Sequence, residues 1–151
     1  QKTTLTLAST PVTVANLTGA SFGGVQIYDF PEGRVLVLGT IANLSFRWTG
    51  TTIAAAGSGD FSMGTTITAD ATIDGTDVNL LPSSAMLDPF VLGVGTGSGA
   101  LEASAHIDGT GGAIDCNLNI IIDDADVADA GTAIVLVTGT VVLTWINLGD
   151  Y

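Results

Sequence analysis

The sequence predicts an all-β fold, an antiparallel β-sandwich of jelly-roll-like architecture with about eight to ten strands. Apolar and polar residues alternate with a period of two along most of the chain, which is typical of strands with one buried face. Turn pairs such as Asp74-Gly75 and Asp108-Gly109 separate the apolar runs, and no segment has a helical period. The number of strands favours two packed four-stranded sheets.

Length and composition predict one folded domain. The chain has 151 residues, of which 46% are hydrophobic, and its mean hydropathy is +0.54. A chain of this length can bury a substantial core, and its hydrophobicity excludes intrinsic disorder. We therefore treat residues 1–151 as a single β-sandwich domain.

The first strands are short in the sequence pattern. We predict strands over 3–8, 12–18 and 24–30. Residues 1–11 allow two interpretations, an N-terminal arm that reaches a partner, or a short edge strand or frayed terminus.

Two long alternating segments follow. Residues 34–48 place Leu36, Leu38, Leu44, Phe46 and Trp48 on one face, which predicts a long half-buried strand. Residues 59–74 alternate in the other phase and predict a second long strand, with Ile67 among its inward residues. Shorter strands are predicted over 51–56 and 78–81.

The last third of the chain predicts three more strands. Residues 100–107 and 114–122 alternate, with Asn117 and Asn119 on the wet face of the second segment. Residues 133–147 are apolar on both faces at first and predict a central strand. The glycine-rich segment 93–99 predicts a mobile loop or a contact loop.

The charge balance restricts the partners. Fifteen acidic residues face three basic ones, and the net charge is -12. This excludes phosphate recognition by clustered bases, so we expect no binding to nucleic acid or to an anionic membrane surface. The apolar run at 133–148 is too short and too polar for a membrane-spanning helix.

Residues that could carry catalysis occur singly. His106, near Glu102 and Asp108, is predicted to be exposed and structurally idle, and Ser98 lacks the strand-to-helix turn of a nucleophile elbow. Cys116 alternates in phase with core residues, and a lone cysteine forms no intramolecular disulfide. We therefore predict no catalytic residue, no cofactor site and no enzyme activity.

The acidic segment 123–131 is the most suggestive ligand site. Several carboxylates on one loop suit calcium, but the spacing fails the EF-hand pattern. A solvated loop is the alternative, and we assign no metal ligand. A calcium- or carbohydrate-binding β-sandwich module remains a functional alternative.

Three segments carry a resemblance. They are 24–34 (GVQIYDFPEGR), 74–83 (DGTDVNLLPS) and 143–151 (LTWINLGDY). With them the sequence resembles a family of small head-associated virion proteins of tailed bacteriophages, from about residue 20 to the end. The motifs are turns and strand ends, so no functional residue is transferred.

The resemblance implies a capsid decoration or cement protein. Such a protein binds the major capsid protein on the exterior of the virion and stabilises contacts between capsomers, commonly as a homo-oligomer, with a trimer favoured. A fibre or filament subunit that assembles through strand edges is the other structural alternative. In either case, the C-terminal segment from Trp145 to Tyr151 could anchor an interface, although Trp145 itself is expected in the core.

Overall fold

The computed structural model describes residues 1–17, 20–49, 53, 58–86, 93–98, 106–123 and 132–149, and this part is all-β, as predicted. A 3-10 turn at Gly75–Asp77 is the one helical element within these ranges. The described residues form nine strands: β1 Lys2–Leu17, β2 Ala20–Phe30, β3 Gly33–Thr49, β4 Gly59–Gly64, β5 Leu81–Met86, β6 Gly93–Ser98, β7 His106–Gly109, β8 Ile114–Ile122 and β9 Thr132–Gly149.

The strands form one antiparallel sheet that curls on itself. Its order is β5-β4-β8-β2-β1-β9-β3-β6, and β7 pairs with the start of β3. The end strands β5 and β6 approach to within 8 Å between Cα atoms. Strand β9 is central, as predicted, because β1 and β3 pair along its two edges. This continuous hydrogen-bonded path does not confirm the two separate sheets of a jelly roll.

The sheet opens between β1 and β2, which gives it two halves. β1 pairs with β9 over most of its length but with β2 only at Ala15–Leu17. We call the two parts the β1–β9–β3 half and the β2–β8–β4 half. Their inner faces meet in the core, where the ring of Phe30 lies 5.7 Å from that of Trp145 and the ring of Phe46 lies 5.0 Å from that of Phe61. Full burial of such side chains stabilises the fold by about 2–3 kcal/mol each.

The alternation of β3 changes phase within the strand. Val35 and Val37 are buried in its first part, whereas Leu44 and Phe46 are buried in its second part. The pairing with β9 shifts register between Val37 and Gly39, and an irregularity of one residue turns every later side chain to the opposite face. Leu36 and Leu38 are therefore half-buried, and their predicted core position is wrong.

Strand β1 joins two of the predicted segments. Ser9 has a φ of 59°, and the register with β9 shifts between Leu7 and Thr10, so the segments 3–8 and 12–18 form one irregular strand. Most of segment 1–11, interpreted above as an arm or an edge strand, pairs with β9 from Lys2 onward. Of segment 51–56 only Ile53 is described, and it is buried.

The prediction of a strand over 59–74 is wrong beyond β4. The chain leaves the sheet after Gly64, where a Cβ atom would lie 2.1 Å from the carbonyl oxygen of Thr76. Residues 65–74 are irregular, and Ile67 is 47% exposed instead of being in the core. The predicted strand 78–81 begins only at Leu81.

The prediction for the glycine-rich segment 93–99 is also corrected by the structure. Residues 93–98 form β6, whose backbone pairs with β3 from Ile41 to Phe46, so the prediction of a loop there is wrong. Backbone hydrogen bonds between strands need no side chains, and sequence periodicity does not report them. Of segment 100–107, only His106 and Ile107 are described, and they alternate exposed and buried as predicted.

Candidate interaction surface

The outer side of the β1–β9–β3 half is a long surface of threonine and aliphatic side chains. Its residues stand in rows across the three strands because β9 pairs with both neighbours. Ile134 and Ile41 are among the most exposed large apolar side chains, at 45% and 59%. Three of the rows are Thr4–Val142–Ile41, Thr6–Thr140–Asn43 and Pro11–Leu136–Arg47.

Acidic residues are absent from these three strands. β1, β3 and β9 contain no Asp or Glu and carry all three basic residues of the chain, Lys2, Arg34 and Arg47. We call the outer side of these strands the acid-free face. The acidic residues of the described ranges lie on other strands and in loops: Asp29, Glu32, Asp60, Asp70, Asp74, Asp77, Asp108, Asp115 and Asp123.

A shallow depression of about 260 Å³ lies in the acid-free face. Ser9, Ser45, Arg47, Leu136 and Thr138 line it, and the backbone N–H of Ser9 donates a hydrogen bond of 3.2 Å to the Thr138 hydroxyl. The irregularity at Ser9 thus shapes one wall. An exposed guanidinium beside a half-buried leucine can bind a group with both a charge and an apolar part.

The outer side of the β2–β8–β4 half carries two opposed carboxylates. Asp29 and Asp115 are direct partners in the β2–β8 pairing, and the Gln26 amide donates hydrogen bonds to both. Partial desolvation, followed by the hydrogen bond and charge of Asp29, raises the pKa of Asp115. Like charges in direct opposition destabilise a strand pair, so the neighbouring carboxylate favours the protonated form of Asp115.

A buried amide holds the loop 65–79 over this half. Asn119 is fully buried on β8; its Oδ1 accepts a bond of 3.0 Å from the N–H of Thr68, and its Nδ2 donates to the carbonyl oxygens of Thr66 and Asp77. The predicted wet position of Asn117 and Asn119 is wrong because this loop covers the outer side of β8. Ser62 also donates to the Asp77 carbonyl, over 2.7 Å.

The residues considered for catalysis lie on different strands. His106 is exposed on β7, while Glu102 lies outside the described residues. The pKa of nearby Asp108 is lowered, because Thr110 donates two hydrogen bonds to it and Arg34 and His106 add smaller electrostatic effects. Ser98 ends β6.

Two predicted core positions are confirmed. Cys116 is fully buried, and burial raises the pKa of its thiol to about 12, so at neutral pH it is a small apolar side chain. Trp145 is 3% exposed, and its indole N–H donates to the Thr3 hydroxyl over 3.1 Å.

The calcium alternative falls mostly outside the described residues. Of segment 123–131 only Asp123 is described, and its carboxylate accepts a hydrogen bond of 2.5 Å from the Ser58 hydroxyl. Across the described ranges, no group of three or more metal-ligating side chains occurs. No helix in those ranges is long and apolar enough to cross a membrane.

The acid-free face was missed at the level of sequence, although its signal was present. The net charge of the whole chain does not reveal it, whereas the distribution of acids by strand separates three acid-free strands from the rest. The second signal needed was the sheet order, which makes these strands neighbours.

Comparisons of the chain with protein-family models, with curated proteins and with solved structures each gave no match.

Proposed function

We propose that this chain is a non-enzymatic structural protein of a tailed-phage virion, a decoration or cement protein that binds the outside of the capsid. The observation that carries the proposal is the segregation of charge. A chain with a net charge of -12 presents one broad surface with no acidic side chain and with aliphatic residues in the open. Exposed apolar patches on soluble proteins mark interaction sites.

The size of the acid-free face suits a protein that acts in many copies. Thirteen residues of β1, from Lys2 to Val14, and three strands give a face about 40 Å long and about 14 Å wide, or about 600 Å². Specific interfaces bury about 800 Å² on each partner, so a single contact through this face lies at the small end of the standard range. Repetition on a symmetric shell multiplies weak contacts, and each bridge between capsomers then resists their separation.

The acidic outer side of the other half supports the exterior location. Packaged DNA is a dense polyanion and repels a protein with this net charge. On the exterior, the β2–β8–β4 half can face solvent while the acid-free face contacts the shell, which is the arrangement that we propose.

The open edge of β1 argues against assembly by strand addition. The left-handed Ser9 and the imino acid Pro11 interrupt this edge, since Pro11 lacks an N–H group for a new strand. Irregularities and prolines of this kind protect edges against pairing with other chains. This edge of β1 therefore gives no support to the fibre alternative.

Quantitative mass spectrometry of gradient-purified phage particles tests the proposal. We expect the chain in a simple whole-number ratio to the major capsid protein. A few copies per particle would instead indicate a tail or fibre component. Absence from intact particles would refute a virion role and favour the binding-module alternative.

A further inference from the structure

One cation of the acid-free face has no internal partner in the described part of the chain. Arg47 is exposed, and no ion pair to it occurs within the described ranges. The other arginine of β3 differs, because Arg34 is half-buried and lies opposite Asp108 of β7. Arg47 is thus the arginine that is free to bind a group from outside.

The surroundings of Arg47 define what that group must be. In its row, Leu136 and Pro11 supply apolar surface, and Ser45 and Thr138 add hydroxyls on the rim of the depression. A planar guanidinium binds a carboxylate through two parallel hydrogen bonds, which gives both affinity and orientation. The fitting group is a carboxylate beside aliphatic side chains.

Resting on the function proposed above, we infer that the acid-free face docks on a capsid protein surface that presents a carboxylate to Arg47. Charge complementarity selects this occupant. The face bears Lys2 and Arg47 and no acid, whereas the rest of the described surface is acidic. A protein surface with acidic and aliphatic side chains is complementary to this face, and electrostatic complementarity of this kind sets specificity and association rate.

A second copy of the chain fits less well. In a symmetric dimer through this face, Arg47 and Lys2 would each meet the same acid-free face of the other copy, which brings no carboxylate to either. The acidic residues that could pair with Arg47 lie on strands and loops outside this face. A homodimer through the face therefore leaves the guanidinium without an anion.

The test measures binding of the purified chain to phage heads that lack it. Two variants change the face: Arg47→Glu reverses the charge at the proposed anchor, and Thr140→Glu adds one acid at an exposed position of β9. The matched control is Ala71→Glu, which adds one acid at an exposed position of the loop on the other half. Melting temperatures of all variants check that each one folds.

We expect both face variants to bind at least about tenfold more weakly than the unchanged chain, and the control to bind equally well. Binding of the unchanged chain should also weaken as salt is raised from about 0.05 to 0.5 M. Arg47→Lys should bind more weakly than the unchanged chain and more tightly than Arg47→Glu, because lysine keeps the charge but cannot form the two parallel hydrogen bonds of a guanidinium.

The other outcomes separate the two proposals. If the unchanged chain binds heads and both face variants bind as tightly, the docking surface is refuted and the decoration role stands. If the unchanged chain does not bind heads, the decoration role fails, and this inference fails with it. If analytical ultracentrifugation finds a dimer that Thr140→Glu abolishes, the occupant of the face is a second copy, which overturns the inference.

Discussion

Replacing Asn119 by alanine should detach the loop 65–79 from the sheet. The side chain makes three hydrogen bonds, to the N–H of Thr68 and to the carbonyl oxygens of Thr66 and Asp77. Asn119 and Thr68 are both buried. Water therefore cannot replace the lost hydrogen bonds unless the loop moves away from the sheet. At about 1 kcal/mol for each bond, the loss is about 3 kcal/mol of unfolding free energy.

Urea denaturation and amide exchange together measure this effect. A loss of about 3 kcal/mol corresponds to a decrease of about 6–12 °C in melting temperature for a chain of this length. The amide of Thr68 should exchange faster, because its acceptor is the side chain that is removed. Asn43→Ala is the control, since Asn43 is exposed on β3 and its loss should cost under about 0.5 kcal/mol. If Asn119→Ala matches this control and the Thr68 amide stays protected, our account of the loop is wrong.

Three further perturbations test separate parts of the structure. Asp115 has a raised pKa in the fold, so its proton favours the folded state, and stability is lost as pH rises from the ordinary carboxyl range toward the folded pKa. Asp115→Asn should remove this loss and flatten the pH dependence of the melting temperature just above the ordinary carboxyl range, and an unchanged pH profile would contradict the raised pKa of Asp115. The thiol of Cys116 should be inert to a thiol reagent at pH 8 and react fully in urea, and rapid reaction of the folded chain would contradict its burial. Gly139→Ala should cost more than about 2 kcal/mol, because φ is 141° and the new Cβ would lie 2.1 Å from a carbonyl oxygen of β3, whereas Gly111→Ala, with open space around it, should be neutral in the same melting assay.

The alternation of apolar residues was a sound guide where one face of a strand meets the core and the other meets solvent. It located both ends of β3 and of β9 to within one or two residues, and it placed Cys116 and Trp145 in the core. The physical reason is direct, since the side-chain period of a strand is two and burial selects one phase. The prediction within β3 failed where the register shifts between Val37 and Gly39, because a bulge leaves no mark in the apolar pattern.

The same alternation misled where polar side chains replaced the sheet as hydrogen-bond partners. Residues 65–74 continue the period of β4, but the threonines there bind the segment 76–79 and Asn119 instead of a neighbouring strand. Threonine is equally suited to a strand and to such a loop, so its presence does not decide between them. The partners that hold this loop are Asn119, far along the chain, and the segment 76–79, and neither is marked in the alternation of residues 65–74.

The distribution of acidic residues connects the sequence to the proposed role. The three longest strands, β1, β3 and β9, are acid-free in a chain in which acids outnumber bases five to one. Acidic residues at exposed positions of these strands would increase solubility. They would also make the surface around the exposed Ile41 and Ile134 less prone to association. Because the sheet places β9 between the other two, the acid-free strands form one continuous face instead of three separate stripes. A face of this kind is unfavourable for an isolated monomer and useful for a protein whose working state is docked, and this contrast is the physical basis of our proposal that the chain docks on a larger assembly.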